Sequence, residues 1–204
     1  DVVISNRGKR NQLLINQQGS GNYIEEVLKL PGGATETTIM VSADINGDGL
    51  EDLIIGNFAQ PNQLLINEGN GIYSTAVDLP GGASKTYSIA AADVNQDGMI
   101  DILIGNWVEH NQLLMNEGNG TYSEAIYLPG VETVSITVGD IDGDGKMDIL
   151  IGNANQNNLL LLNDGSGSFS NAINLPGGQR FTVSISASDM NGDGMLDILI
   201  GNFK

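Results

Sequence analysis

The chain has 204 residues, 40% of them apolar, enough to bury a core and too many for a disordered segment. Its net charge of −17 argues against a nucleic-acid backbone as partner, because phosphate binding is carried by Lys and Arg. The absence of Cys excludes a disulfide framework, thiol catalysis and Cys-based zinc sites.

No apolar run is long enough to span a bilayer and no signal peptide is evident, so membrane insertion is not expected. A chain that opens on Asp1 rather than Met reads as a processed or excised segment.

The first element, Asp1-Val-Val-Ile-Ser-Asn6, is a short β-branched run, a strand by composition. It returns as Asp52-Leu-Ile-Ile-Gly-Asn57 and, with Ile-Leu-Ile-Gly, between Asp101 and Asn106, Asp148 and Asn153, and Asp197 and Asn202. Each full copy follows an acidic nonapeptide. These are Asp44-Ile-Asn46-Gly-Asp48-Gly-Leu50-Glu-Asp52, Asp93-Val-Asn95-Gln-Asp97-Gly-Met99-Ile-Asp101, Asp140-Ile-Asp142-Gly-Asp144-Gly-Lys146-Met-Asp148 and Asp189-Met-Asn191-Gly-Asp193-Gly-Met195-Leu-Asp197. Thirteen of the 25 acidic residues are aspartates of these segments, so the charge is concentrated rather than diffuse.

Side-chain oxygens at positions one, three, five and nine, with Gly at six to reverse the chain, can curl around a hard cation that prefers six to eight oxygens. The backbone carbonyl at position seven (Leu50, Met99, Lys146, Met195) completes the expected ligand set, and calcium is the expected ion, about four per chain. An Asp-rich turn without metal would leave position nine no reason to be Asp four times. An EF-hand is excluded, because position twelve is Ile55, Ile104, Ile151 or Ile200 where that loop needs Glu, and strands rather than helices flank the segment.

The first Asp falls at 44, 93, 140 and 189, spacings of 49, 47 and 49, a period typical of propellers and solenoids. Four strands fit one period: A before the acidic loop, rich in small residues; B after it; then C and D. C and D are joined by Gly-rich turns at 18–21, 68–71, 117–120 and 164–167. Units of about 1–51, 52–100, 101–147 and 148–196, with an extra strand at 197–204, make one all-β domain of four-stranded antiparallel blades. Small residues place strand A innermost, where a radial array is narrow.

These repeats resemble the FG-GAP/VCBS repeats of integrin-α-like β-propellers, whose blades carry a Dx[DN]xDGxxD calcium loop between their first two strands. The resemblance covers essentially the whole chain. It implies a propeller fold and a secreted or cell-surface protein, often adhesive or glycan-binding, whose metals are structural. The Phe-Gly/Gly-Ala-Pro signature of the integrin copies is absent, so integrin-style ligand recognition is not implied. An extracellular setting also suits calcium sites of roughly 10⁻⁴–10⁻³ M affinity.

Asp1 aligns with position nine of an acidic loop, and the chain closes on a loop plus strand B. Two readings follow: four blades closed within the chain, strand A near 181–188 pairing with strand 1–6, or one part of a seven- or eight-bladed or two-chain ring. Unpaired edges at both ends favour self-association.

Alternation puts the A–B loops and C–D turns at one end of the blades and the B–C and D–A loops at the other. The second end varies between copies, and variable loops on a repeated scaffold are where binding resides. Candidate ligand contacts are Phe58, Tyr87, Trp107, His110 and Arg180, with a glycan or a protein as partner. The bland alternative is that Phe58 and Trp107 only cover the blade ends. The Asn after strand B (Asn57, Asn106, Asn153, Asn202) reads as a partner for turn backbone. Asn119-Gly-Thr121 is a glycosylation sequon on a C–D turn. Acids outside the loops form no recognisable catalytic pair, so no enzyme activity is expected. The expected function is an extracellular calcium-stabilised binding or adhesion module. The alternatives are a structural subunit of an extracellular assembly and a non-catalytic part of a secreted polysaccharide-degrading enzyme.

Overall fold

The computed structural model describes residues 1–16, 28–169 and 171–203, and these contain twenty strands and no helix. The Gly-rich turn at 18–21 lies outside the described residues. A first, partial unit comprises β1 (Val2–Ile4), β2 (Arg7–Leu14) and the start of β3 (Leu28–Ala43). β3 runs without a break from strand D of that unit into strand A of the next, so β2 pairs along it from Leu13↔Leu28 to Arg7↔Glu36.

The first complete blade joins the end of β3 to β4 (Asp52–Asn57), β5 (Gln63–Leu65), the ribbon β6 (Asn67–Gly69) and β7 (Ile72–Tyr73), and β8 (Val77–Asp78). The second holds β9 (Thr86–Ala92), β10 (Asp101–Asn106), β11 (Asn111–Leu114), the ribbon β12 (Asn116–Gly118) and β13 (Thr121–Tyr122), and β14 (Ile126–Leu128). The third holds β15 (Thr133–Gly139), β16 (Asp148–Gln156), β17 (Leu159–Leu161) and β18 (Ala172–Asn174), and a final A–B pair holds β19 (Arg180–Ser188) and β20 (Asp197–Phe203). In each complete blade the strands pair antiparallel in the order A-B-C-D.

Strand B is apolar on both faces because neighbouring blades cover both, and β4 and β10 are buried at every residue. Alternation divides its side chains between two cores. Leu53 and Ile55 pack back with Leu13 and Leu30, whereas Ile54 packs forward with Ile89, Ile102 and Ile104. Leu103 then packs forward with Ile149 and Ile151. Full burial of such a side chain contributes about 1.5–3 kcal/mol, so the layers between blades hold the fold together.

Glycine in Ile-Gly-Asn makes this approach possible. A Cβ on Gly105 would lie 2.9 Å from Thr133 Cγ2 and 3.2 Å from Ile136 Cδ1 of the next blade, and one on Gly152 would lie 3.0 Å from Thr182 Cγ2.

Successive A strands lie side by side. The Thr38 hydroxyl donates to Thr86 O, Ile136 N–H to Ser88 Oγ and Ile185 N–H to Ser135 Oγ. Small residues on strand A permit this contact, in keeping with its inner position.

The pairing of strand 181–188 with strand 1–6, which the reading of four blades closed within the chain requires, does not form. β19 takes β20 as its partner over its length, from Phe181↔Phe203 to Ser188↔Asp197, and meets the end of β16 at Ala154↔Phe181. Its own strand B is the nearer partner in sequence and closes the shorter loop. Among the described residues β1 pairs with β2 and β20 with β19, and no strand pairing joins the first unit to the last.

Candidate functional site

The acidic loops are tight reversals. Position six is left-handed in all four, with φ between 85° and 87° at Gly49, Gly98, Gly145 and Gly194, which only Gly adopts without strain. Position four is also left-handed, and there Gln96 (φ 59°) replaces Gly. Its side chain is what the site gains: Gln96 Nε2 donates to Gly145 O of the next loop at 2.9 Å.

The first Asp organises each turn. Asp44 Oδ1 accepts from Gly47 N–H and Asp48 N–H, and Oδ2 from Gly49 N–H at 2.9 Å. Asp189 accepts from the same three positions of its loop, and Asp93 from Asp97 N–H and Gly98 N–H. In the third loop Asp140, Asp142 and Asp148 each offer a carboxylate oxygen within 4.8 Å of the others. Asp140 Oδ1 is buried there without a hydrogen-bond partner. A buried anionic oxygen facing two more carboxylates fits a hard cation, the chemistry expected of the loop. Lys146 Nζ sits 2.7 Å from Asp144 Oδ2, and this contact holds the Asp144 carboxyl below its ordinary range.

Position nine carries a role that sequence reasoning missed. Asp52 Oδ2 accepts from Ile45 N–H at 3.0 Å and Oδ1 from Asn67 N–H at 2.7 Å. Asp101 accepts likewise from Val94 and Asn116, and Asp148 from Ile141 and Asn163. This carboxylate therefore ties the loop to the start of the C–D connection whether or not an ion is bound, and Asp at position nine is no longer evidence for metal by itself. Burial pushes the Asp52 and Asp101 carboxyls up, with the neighbouring loop aspartates adding to the shift. Asp1 Oδ1 accepts from Asn16 N–H at 2.8 Å, the position-nine contact of the first unit.

At the opposite end of the blades a buried Asn–Thr–Asn relay crosses between successive units from the first unit through the third complete blade. Asn111 Nδ2 donates to Thr133 Oγ1 at 2.9 Å, and Thr133 donates to Asn153 Oδ1 at 2.9 Å. Asn62, Thr86 and Asn106 repeat it one blade earlier. The Asn after strand B also donates to turn backbone, as expected: Asn57 to Pro61 O, Asn106 to His110 O and Asn153 to Asn157 O.

Above this relay the variable aromatics meet. Phe58 lies 6.2 Å from Tyr87 between ring centroids, Tyr87 5.3 Å from Trp107, Trp107 6.0 Å from Phe181 and Phe181 6.3 Å from Phe203. Arg7 Cζ stands 4.8 Å over the Phe58 ring, and Lys85 Nζ 5.8 Å from its centroid. Three of the five expected contacts, Phe58, Tyr87 and Trp107, thus belong to one row. Arg7, Lys85, Phe181 and Phe203 join it unforeseen. The signal was that Arg7, Phe58, Trp107 and Phe203 are equivalent positions after strand B.

His110 and Arg180 lie elsewhere. His110 packs 5.8 Å from Tyr127 and lines a pocket of about 420 Å³ with Val131, Asn157 and Gln179. Arg180 Nε donates to Gly177 O at 3.2 Å. Asn119 of the sequon is exposed on its turn.

A profile of the FG-GAP-like repeat matches residues 44–104, 93–151 and 140–200, each match starting at position one of an acidic loop and ending in the next strand B. No curated protein sequence matches the chain. Among solved structures the chain is similar to a lectin of Agrocybe aegerita, described as specifically recognising non-reducing terminal N-acetylglucosamine, with 20% identity and a TM-score of 0.66 over 94% of this chain and 55% of the lectin. It is also similar to BBS1N, solved in complex with ARL6DN, with 15% identity and a TM-score of 0.60 over 96% of this chain and 57% of that one. At these identities the likeness concerns the fold, a β-propeller arrangement. The chain spans a little over half the length of each.

Proposed function

The chain belongs to the FG-GAP-like repeat family, and from that premise we propose that it is an extracellular, secreted or cell-surface binding module, stabilised by calcium and without catalytic activity. Its ligand is a glycan or a protein, held by the B–C and D–A loops. The observation that carries this reading is the row Phe58–Tyr87–Trp107–Phe181, assembled from aromatics that differ between copies on an otherwise repeated scaffold. Such rings suit stacking on sugar faces and anchoring of protein partners. The similarity to a lectin supports a saccharide.

Positions one, three, five and nine and the carbonyl at position seven of each loop would hold calcium. When bound, the ion supplies the positive charge that crowded carboxylates lack. The loops position strands A and B and the ribbon, far from the aromatic row, so the ion's role is structural. Among the described residues the acids nearest the row are engaged in structural contacts, Glu36 with Arg7 at 2.7 Å and Glu109 with Lys85 N–H at 3.2 Å, in keeping with a non-catalytic role.

A glycan array, with Trp107→Ala as control, tests this reading. Binding that Trp107→Ala abolishes supports it. Binding that Trp107→Ala leaves unchanged removes the row from the site.

A further inference from the structure

We propose that the aromatic row is a binding track for an acidic polysaccharide, a carboxylate-bearing glycan that stacks on Tyr87 and Trp107 and sets its charge against the cations at the Phe58 end. This rests on the binding-face reading above and names the ligand class.

The first argument is charge segregation. The chain carries 25 acidic residues and 8 Lys and Arg, which makes it a poor partner for a polyanion on average. Five of the eight cations, Arg7, Lys9, Arg10, Lys85 and Arg180, nevertheless lie in the B–C and D–A segments, whereas the aspartates cluster at the opposite end of the blades. Exposed charges farther apart than about 8–10 Å are screened at physiological ionic strength. The local charges, five cations against Glu36, Glu109 and Glu132, therefore govern contact, and the acidic loops do not reach it.

The second argument is geometry. Arg7 and Lys85 come from different units and bracket one ring, Phe58. The Arg7 Nε is taken by Glu36, but its side chain is 58% exposed and keeps its terminal nitrogens for a carboxylate, which guanidinium binds in a fork. Among the described residues the Lys85 ammonium pairs with no carboxylate. From that charged end the rings follow at steps of 5.3–6.3 Å, comparable to the advance of one pyranose along a glycan chain. Tyr87 is 37% and Phe203 72% exposed, so rings along the row remain open to stacking. A neutral glycan would use the rings and leave the cations idle.

The test is calorimetric titration with oligogalacturonate and with its methyl-esterified form, at one fixed calcium concentration, beside Trp107→Ala and Lys85→Gln, whose melting temperatures are checked first. The acid form should bind, weaken with added NaCl, and lose about tenfold in affinity in either variant. The ester should bind about tenfold more weakly than the acid. Equal affinity for both forms would overturn the acidic-glycan claim while leaving a glycan-binding face. Binding unchanged in both variants would overturn the location. Binding of neither form overturns the claim too, and the binding-face reading then stands or falls on the array.

Discussion

The side-chain amide of Asn163 donates to the backbone carbonyl of Val94 at 2.7 Å and to that of Met147 at 2.9 Å. One amide thus fastens the C–D turn of the third blade to the acidic loop of the second as well as to its own. Asn116 does the same with Ile45 O and Ile100 O. Neighbouring complete blades are joined by directed polar clamps at the loop end and by the Asn–Thr–Asn relay at the other, with apolar layers between.

Removing that clamp should cost more than removing its isolated equivalent. Asn163→Ala leaves the buried Val94 carbonyl without a partner, and that of the more exposed Met147 as well, which costs about 1–3 kcal/mol. The Asn67 amide donates only to the exposed Glu51 O of its own loop, and Asn67→Ala should cost under about 1 kcal/mol. Urea denaturation of the two variants checks the difference.

The glycine of strand B gives a matched pair. Gly105→Ala forces its Cβ against Thr133 and Ile136, at an overpacking cost of about 1–3 kcal/mol. At Gly201 the nearest atom to an added Cβ is Ser184 Cβ at 3.7 Å, ordinary contact, so Gly201→Ala should stay within about 0.5 kcal/mol of the parent. Equal losses in thermal denaturation would contradict the blade-contact explanation.

The relay makes a polar prediction of the same kind. Thr133 is fully buried and its hydroxyl both accepts from Asn111 and donates to Asn153. Thr133→Val keeps the shape and strands both amides, a loss of about 1–3 kcal/mol in stability by denaturant titration.

Much of this architecture was legible in the sequence because it is local. The period of Asp44, Asp93, Asp140 and Asp189, the Gly at position six and the Ile-Leu-Ile-Gly-Asn run each declare a turn or strand within a dozen residues. Contacts between units were not legible. The Asn that opens strand C carries no local mark, since its partner Thr lies 22–26 residues away in the next blade. Position nine looked like a metal ligand alone because the amides it binds, such as Asn67 N–H, follow 15 residues later on a ribbon. Trp107 was visible as an outlier in its loop, but its neighbour Phe181 comes from the final A–B pair.

The measurement closest to the central claim is the melting temperature with EDTA and with added calcium. For sites of roughly 10⁻⁴ M affinity, about 10 mM calcium stabilises the folded chain by about 2.7 kcal/mol per occupied site. One site alone should raise the melting temperature by roughly 5–10 °C in a domain of this size. Such a rise, abolished by EDTA and reduced by Asp140→Asn, is the predicted result. A melting temperature unchanged by calcium and by EDTA would contradict calcium as the ion that stabilises this fold.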